Sequence, residues 1–210
     1  MKKNIFKDII IFAIITLAAG LSLALVNSLT KEPIAIQNEK IIQDSYRSVF
    51  KQGKVFANNK EIDEIVDKFP ETIKNKNYNF GENGIVIDDI LMVTDKTDNL
   101  IGHIIKVTTK DGYGGDITLV VGIDTKDTIT GIEVLSIDET VGLGMNAKNE
   151  NFKEQYYNKQ INNFTITKTG KQKDQEIDAL SGATITSTAF NNAVNSALAI
   201  NQEIKEIAYE

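Results

Sequence analysis

The chain opens on one long apolar run and then changes character. From Ile9 to Thr30 no residue is charged. At ~1.5 Å per residue, a helix of that length covers the ~30 Å of a bilayer's hydrocarbon core. Lys2, Lys3 and Lys7 precede the run, while Lys31 and Glu32 offset each other after it. The positive-inside bias therefore predicts a cytoplasmic N-terminus over residues 1–8, a transmembrane helix over 9–30, and the remainder on the extracytoplasmic side of the cell membrane. A cleaved signal peptide competes with this reading, because Ser22-Leu23-Ala24 offers a small-x-small site. The apolar run exceeds the roughly 7–15 residues of a signal h-region, which favours a retained anchor.

Beyond the anchor, Ile36, Ile41, Ile42, Tyr46, Val49 and Phe50 recur at helical spacing and predict a helix from Pro33 to about Gly53. Glu61–Phe69 predicts a shorter one, so residues 31–80 read as a helical linker and domain start. The pattern then shifts to runs rich in Ile, Val and Thr: Ile85–Thr94, Leu100–Thr108, Asp116–Ile123 and Ile129–Ile137. Asp-Lys-Thr-Asp, Lys-Asp-Gly and Asp-Thr-Lys-Asp separate them, as turns require, and predict an antiparallel meander. Asn151–Lys159 predicts a short aromatic helix and Phe164–Lys168 a strand. Ser187–Tyr209 carries Phe190, Ala193, Val194, Ala197, Leu198, Ile204 and Ile207 on one stripe, an amphipathic helix. The expected fold is α+β: one N-terminal transmembrane helix, then a domain over 81–210 with a mainly antiparallel sheet and flanking helices.

Composition narrows the chemistry. A net charge of −6 gives no electrostatic footprint for nucleic acid. The absence of cysteine removes disulfides, thiolate metal sites and a cysteine nucleophile. His103 is the one histidine and falls inside a predicted strand, so no metal site is expected. Redox chemistry on this chain would need a bound organic cofactor. No residue is assigned a catalytic role.

The stretch with the most chemical content is Asp178–Ser187, D-A-L-S-G-A-T-I-T-S. Ser181, Gly182 and Ala183 are small enough for close backbone approach. The hydroxyls of Thr184, Thr186 and Ser187 follow at the start of the last predicted helix, where free N–H groups and the dipole suit a phosphate. Taken alone, the run also reads as an ordinary cap, with Thr186 or Ser187 capping the helix and Gly182 making a turn. Lys168, Lys171 and Lys173 precede it and read as a solvated loop.

Asp178-Ala179-Leu180-Ser181-Gly182-Ala183-Thr184 resembles the flavinylation motif D-x-x-S/T-G-A-T/S of FMN-binding domains. The resemblance implies FMN joined through its phosphate to the Thr184 hydroxyl by a flavin transferase. It extends to Gly112-Tyr113-Gly114-Gly115 and to Glu139-Thr140-Val141-Gly142-Leu143-Gly144, where the family carries E-T-P-G-L-G and this chain has Val141 for the proline. By the same resemblance Asp178, Tyr113, Gly114, Gly115, Glu139, Thr140, Gly142, Leu143 and Gly144 join Ser181, Gly182, Ala183 and Thr184 as cofactor-binding residues. The family includes the G component of the Rnf complex and the C component of the sodium-translocating NADH:quinone reductase, and the length of this chain favours the first. The implied function is electron carriage within an Rnf-type ion-translocating ferredoxin:NAD oxidoreductase complex, beside other membrane subunits. Two other readings stand beside it: a membrane-tethered flavoprotein feeding an external acceptor on its own, and a flavin-free anchored scaffold.

Overall fold

The computed structural model describes residues 2–51, 53–56, 60–76, 78–81 and 84–208. It divides into two compact units, Met1–Gln43 and Asp44–Glu210. Helix α1 (Lys2–Val49) supplies the first unit and the opening residues of the second. Pro33 lies inside it, so the predicted anchor and linker helices form one element. Among the described residues, α1 is the one helix long and apolar enough to cross a membrane. Its most apolar window has a mean hydropathy of 2.8, with none of that window buried.

The second unit is built on a five-stranded antiparallel meander in chain order. Its strands are β1 (Lys54–Phe56), β2 (Ile85–Thr94), β3 (Leu100–Thr109), β4 (Ile117–Asp124) and β5 (Ile129–Ile137). The four longer ones fall where the β-branched runs predict them. Helix α2 (Lys60–Asn75) lies between β1 and β2 and includes Pro70. Helix α4 (Thr184–Ala208) packs its apolar stripe on β3 and β4. Phe190, Val194, Ala197 and Ile200 meet Ile105, Val107, Leu119 and Val121 in that core. Burying such side chains is worth about 1.5–3 kcal/mol each, and it holds the start of α4 at one end of the sheet.

On the opposite face of the sheet three glycines meet the Val49–Phe50 segment. A Cβ on Gly122 would stand 2.8 Å from the Val49 carbonyl oxygen, one on Gly131 2.9 Å from Val49 Cα, and one on Gly102 2.7 Å from the Phe50 ring. The Thr130 hydroxyl donates to the Val49 carbonyl at 2.6 Å. Of the predicted apolar stripe, Tyr46, Val49 and Phe50 are thus core, seated against these glycines, whereas Ile36 and Ile41 are exposed and Ile42 is only partly covered.

Three expectations are adjusted. The helix predicted over Asn151–Lys159 is only α3 (Glu150–Lys153) followed by a 3-10 turn, Glu154–Tyr156. Its Phe152 and Tyr156 are core, edge-on to Phe190 and Phe164 respectively. The strand predicted over Phe164–Lys168 shortens to β6 (Thr165–Thr167), paired in parallel with β7 (Glu176–Asp178), which carries no pattern long enough to read. The last helix begins at Thr184, ahead of Ser187, and Tyr209 lies outside the described residues. His103 is buried, its Nδ1 2.9 Å from the Asn201 amide oxygen, and burial lowers its pKa. Asn201 and Lys205 of α4 both bind Asp127 at 2.8 Å, so His103 belongs to a lock on the far end of that helix.

Candidate functional site

Two tight turns face each other across a cleft of about 490 Å³. In the first, Ala183 N–H donates to the Leu180 carbonyl at 3.0 Å, and Gly182 at the third position has φ +71°. In the second, Leu143 N–H donates to the Thr140 carbonyl at 3.1 Å, and Gly142 at the third position has φ +80°. Both fit type II turns, which need a positive φ there and so select glycine. They touch: a Cβ on Gly182 would stand 3.1 Å from Leu143 Cδ2.

The type II geometry also explains what Val141 does. It occupies the second turn position, where proline is common, and its side chain is exposed. Among the described residues no hydrogen bond is recorded for its N–H. Val141→Pro should therefore raise stability by about 0.4–1 kcal/mol by restricting the unfolded chain. A thermal melt checks this, and a lower midpoint would mean that the turn is not of this type.

Ser187 secures the first turn. Its hydroxyl donates to the Ala183 carbonyl at 2.8 Å and accepts Leu180 N–H at 2.9 Å. The first intrahelical backbone bond of α4 runs from Ser187 N–H to the same Ala183 carbonyl. The N–H groups of Thr184, Ile185 and Thr186 precede it and have no partner within the helix. Thr184, the first helical residue, is half-buried, and among the described residues its hydroxyl makes no recorded hydrogen bond. A hydroxyl beside three N–H groups without intrahelical partners, at the positive end of a 25-residue helix, offers the donors that a phosphate needs.

Glu139 ties the other wall. The residue is 9% exposed, and its carboxylate accepts the Tyr113 N–H at 2.7 Å. A Cβ on Gly114 would stand 2.0 Å from the Asp138 carbonyl oxygen, so the G-Y-G-G loop lies directly on the chain leaving β5. A Cβ on Gly144 would stand 2.7 Å from Glu139 Oε2 and 2.8 Å from the Thr186 hydroxyl, which closes the cleft floor.

The structure thus gathers Tyr113, Glu139, Thr140, Leu143 and Gly144 opposite Gly182, Ala183 and Thr184. Ile185 and Thr186 complete the lining and belong to none of the three motifs. Gly114, Gly115, Gly142 and Ser181 stand in the bounding loops without lining the cleft. Asp178 lies elsewhere. Its carboxylate accepts Lys171 N–H at 2.6 Å, its own N–H donates to Gln155, and it lines a larger cavity of about 590 Å³ with Lys171, Asn151 and Glu154. That cavity holds none of the other motif residues, so size does not identify the site. Lys168, Lys171 and Lys173 are exposed, as a solvated loop should be.

Within the second unit, large exposed apolar residues gather at the cleft mouth: Tyr113 at 71%, Ile185 at 55% and Leu143 at 42%, with Val141 in the adjoining turn at 84%. A planar, largely apolar group carrying a phosphate fits this arrangement, and the volume lies in the ~300–1,000 Å³ range of small-molecule sites.

Residues 112–199 match the FMN-binding domain family. The chain is 26% identical over 213 residues to the G component of a Na⁺-translocating ferredoxin:NAD⁺ oxidoreductase complex from Acetobacterium woodii, covering 97% of this chain and 95% of that one. It is 34% identical over 103 residues to the G component of a proton-translocating ferredoxin:NAD⁺ oxidoreductase complex from Clostridium ljungdahlii, covering 49% of this chain and 55% of the relative. A crystal structure of Shewanella oneidensis NqrC aligns at a TM-score of 0.47 and 19% identity, over 56% of this chain and 60% of that one.

Proposed function

We propose, from the match of residues 112–199 to the FMN-binding domain family, that this chain is a membrane-anchored flavoprotein carrying electrons inside an ion-translocating oxidoreductase complex, with FMN esterified to Thr184. The observation that carries the covalent part is Thr184, which lines the cleft at the first position of α4 and whose hydroxyl makes no recorded hydrogen bond among the described residues. FMN supplies both one- and two-electron transfer. The chain's own residues do the rest. Thr184 fixes the phosphate, and the N–H groups of Thr184, Ile185 and Thr186 face its charge. Leu143, Tyr113 and Ile185 give apolar walls, while Gly144 and Gly182 leave room for close approach. A tether of this kind keeps the group on a domain outside the cytoplasm, the side that the positive-inside bias of Lys2, Lys3 and Lys7 favours. A flavin transferase is needed once, during maturation.

The stretch 9–30 contains no ionisable group, so no ion path runs through it. Ion movement then belongs to other subunits of a complex like the one named for the Acetobacterium woodii relative.

The test is to tag the chain in its own host, solubilise the membranes in detergent and weigh the purified protein. The expected result is a mass gain equal to FMN less water, with other membrane subunits co-eluting. A chain that elutes alone and still reduces a soluble acceptor would overturn the complex. A colourless chain of unmodified mass would overturn the flavin site.

A further inference from the structure

Glu139 carries more charge than its structural duty requires. It is buried on the cleft floor and holds the Tyr113 N–H with Oε1. A glutamine could accept that same N–H through its amide oxygen, without the cost of burying a charge. Among the described residues no lysine or arginine pairs with Glu139, and no hydrogen bond is recorded at Oε2. By contrast Lys153, also buried, is neutralised by Glu133 and Glu150 at 3.0 Å. Lys153 thus has two carboxylates beside it, whereas Glu139 has no basic side chain paired with it among the described residues and lines the cleft. Oε2 also sits next to Gly144 and the Thr186 hydroxyl, where any side chain at position 144 would cover it.

We propose that Glu139 is a tuning residue, whose uncompensated negative charge makes the group held in the cleft harder to reduce. The inference rests on the FMN reading above. An electron added in the cleft adds negative charge near a carboxylate in a poorly screened site, and the two repel. The sign follows from charge alone: removing it must raise the reduction potential.

The experiment compares wild type, Glu139→Gln and Glu139→Asp, each purified from host membranes. It reads intact mass, thermal midpoint and flavin potential by spectroelectrochemical titration. Glu139→Gln is expected to carry the FMN mass gain, melt within a few degrees of wild type and be at least ten-fold easier to reduce. For a two-electron couple that is an upward shift of about 30 mV or more. Glu139→Asp keeps the charge and should stay nearer to wild type. A loaded Glu139→Gln protein with an unchanged or lower potential overturns the tuning role and leaves the flavin site standing. A folded Glu139→Gln protein that is never loaded overturns it too, by making the carboxylate a requirement of attachment. An unmodified wild type removes both readings together.

Discussion

A Thr184→Ala chain should lose its covalent flavin completely, and a Thr184→Ser chain should keep it. The ester needs a hydroxyl at the first position of α4, and serine supplies one from the same backbone. Stability should hardly change in either variant, within about 0.5 kcal/mol, because Thr184 is only half-buried and makes no recorded side-chain hydrogen bond. The loss would therefore report chemistry and not unfolding. Thr186→Ala and Thr188→Ala serve as controls from the same helix turn. Thr186 is buried on the cleft floor and Thr188 is exposed, and both should retain the mass gain. Intact-mass measurement with flavin fluorescence in a denaturing gel checks all four. A Thr184→Ala chain that still carries the mass gain would move the attachment elsewhere and leave the α4 start as an ordinary helix end.

The long strands are legible in the sequence because β-branched runs and acidic turn residues agree about them. Strands β1 and β7 are not, since three residues carry no period. The start of α4 escapes a sequence reading for a physical reason. Thr184, Thr186 and Ser187 look like capping residues, yet Ser187 bonds backwards to Leu180 and Ala183 from inside the first turn. Ala183 stands at the cap position and offers only its carbonyl to the first helical bond, so no capping side chain marks the start. The aromatics of 152–157 could be cofactor neighbours or core by pattern alone, and tertiary packing puts Phe152 and Tyr156 in the core.

In the site, the motifs are visible in the sequence only as separate loops. What joins them, Glu139 to Tyr113 and Gly182 to Leu143, depends on sheet order and on α4 crossing β3 and β4. Ile185 leaves one trace in the sequence: it is an apolar residue out of phase with the buried stripe of its helix, and it proves exposed at the cleft mouth. Asp178 is the reverse case. It stands within the motif and is spent on Lys171 and Gln155, holding the approach to the turn in shape.

Gly114→Ala should separate two accounts of the G-Y-G-G loop, which on its own reads equally well as a plain hairpin tip. Gly114 does not have a positive φ, so alanine meets no backbone strain of its own there. The obstacle is contact: the new Cβ would fall 2.0 Å from the Asp138 carbonyl oxygen and 3.1 Å from its carbon. Those are backbone atoms and cannot rotate away, so the loop or the end of β5 must move. Overpacking of this kind costs about 1–3 kcal/mol, or several degrees in melting midpoint for a chain of this size. The displaced residue is the neighbour of Glu139, whose carboxylate holds Tyr113 at 2.7 Å, so the same shift opens one wall of the cleft. Flavin loading should fall together with stability. Gly170→Ala provides the contrast. Gly170 has φ +86° and nothing within 4 Å of a new Cβ, and it does not line the cleft. Alanine there should cost about 1 kcal/mol or more through backbone strain alone and leave loading intact. Loading and melting should thus part company in one variant and move together in the other. A Gly114→Ala chain that melts and loads like wild type would make the loop a simple turn and remove Asp138 and Glu139 as the wall of the site.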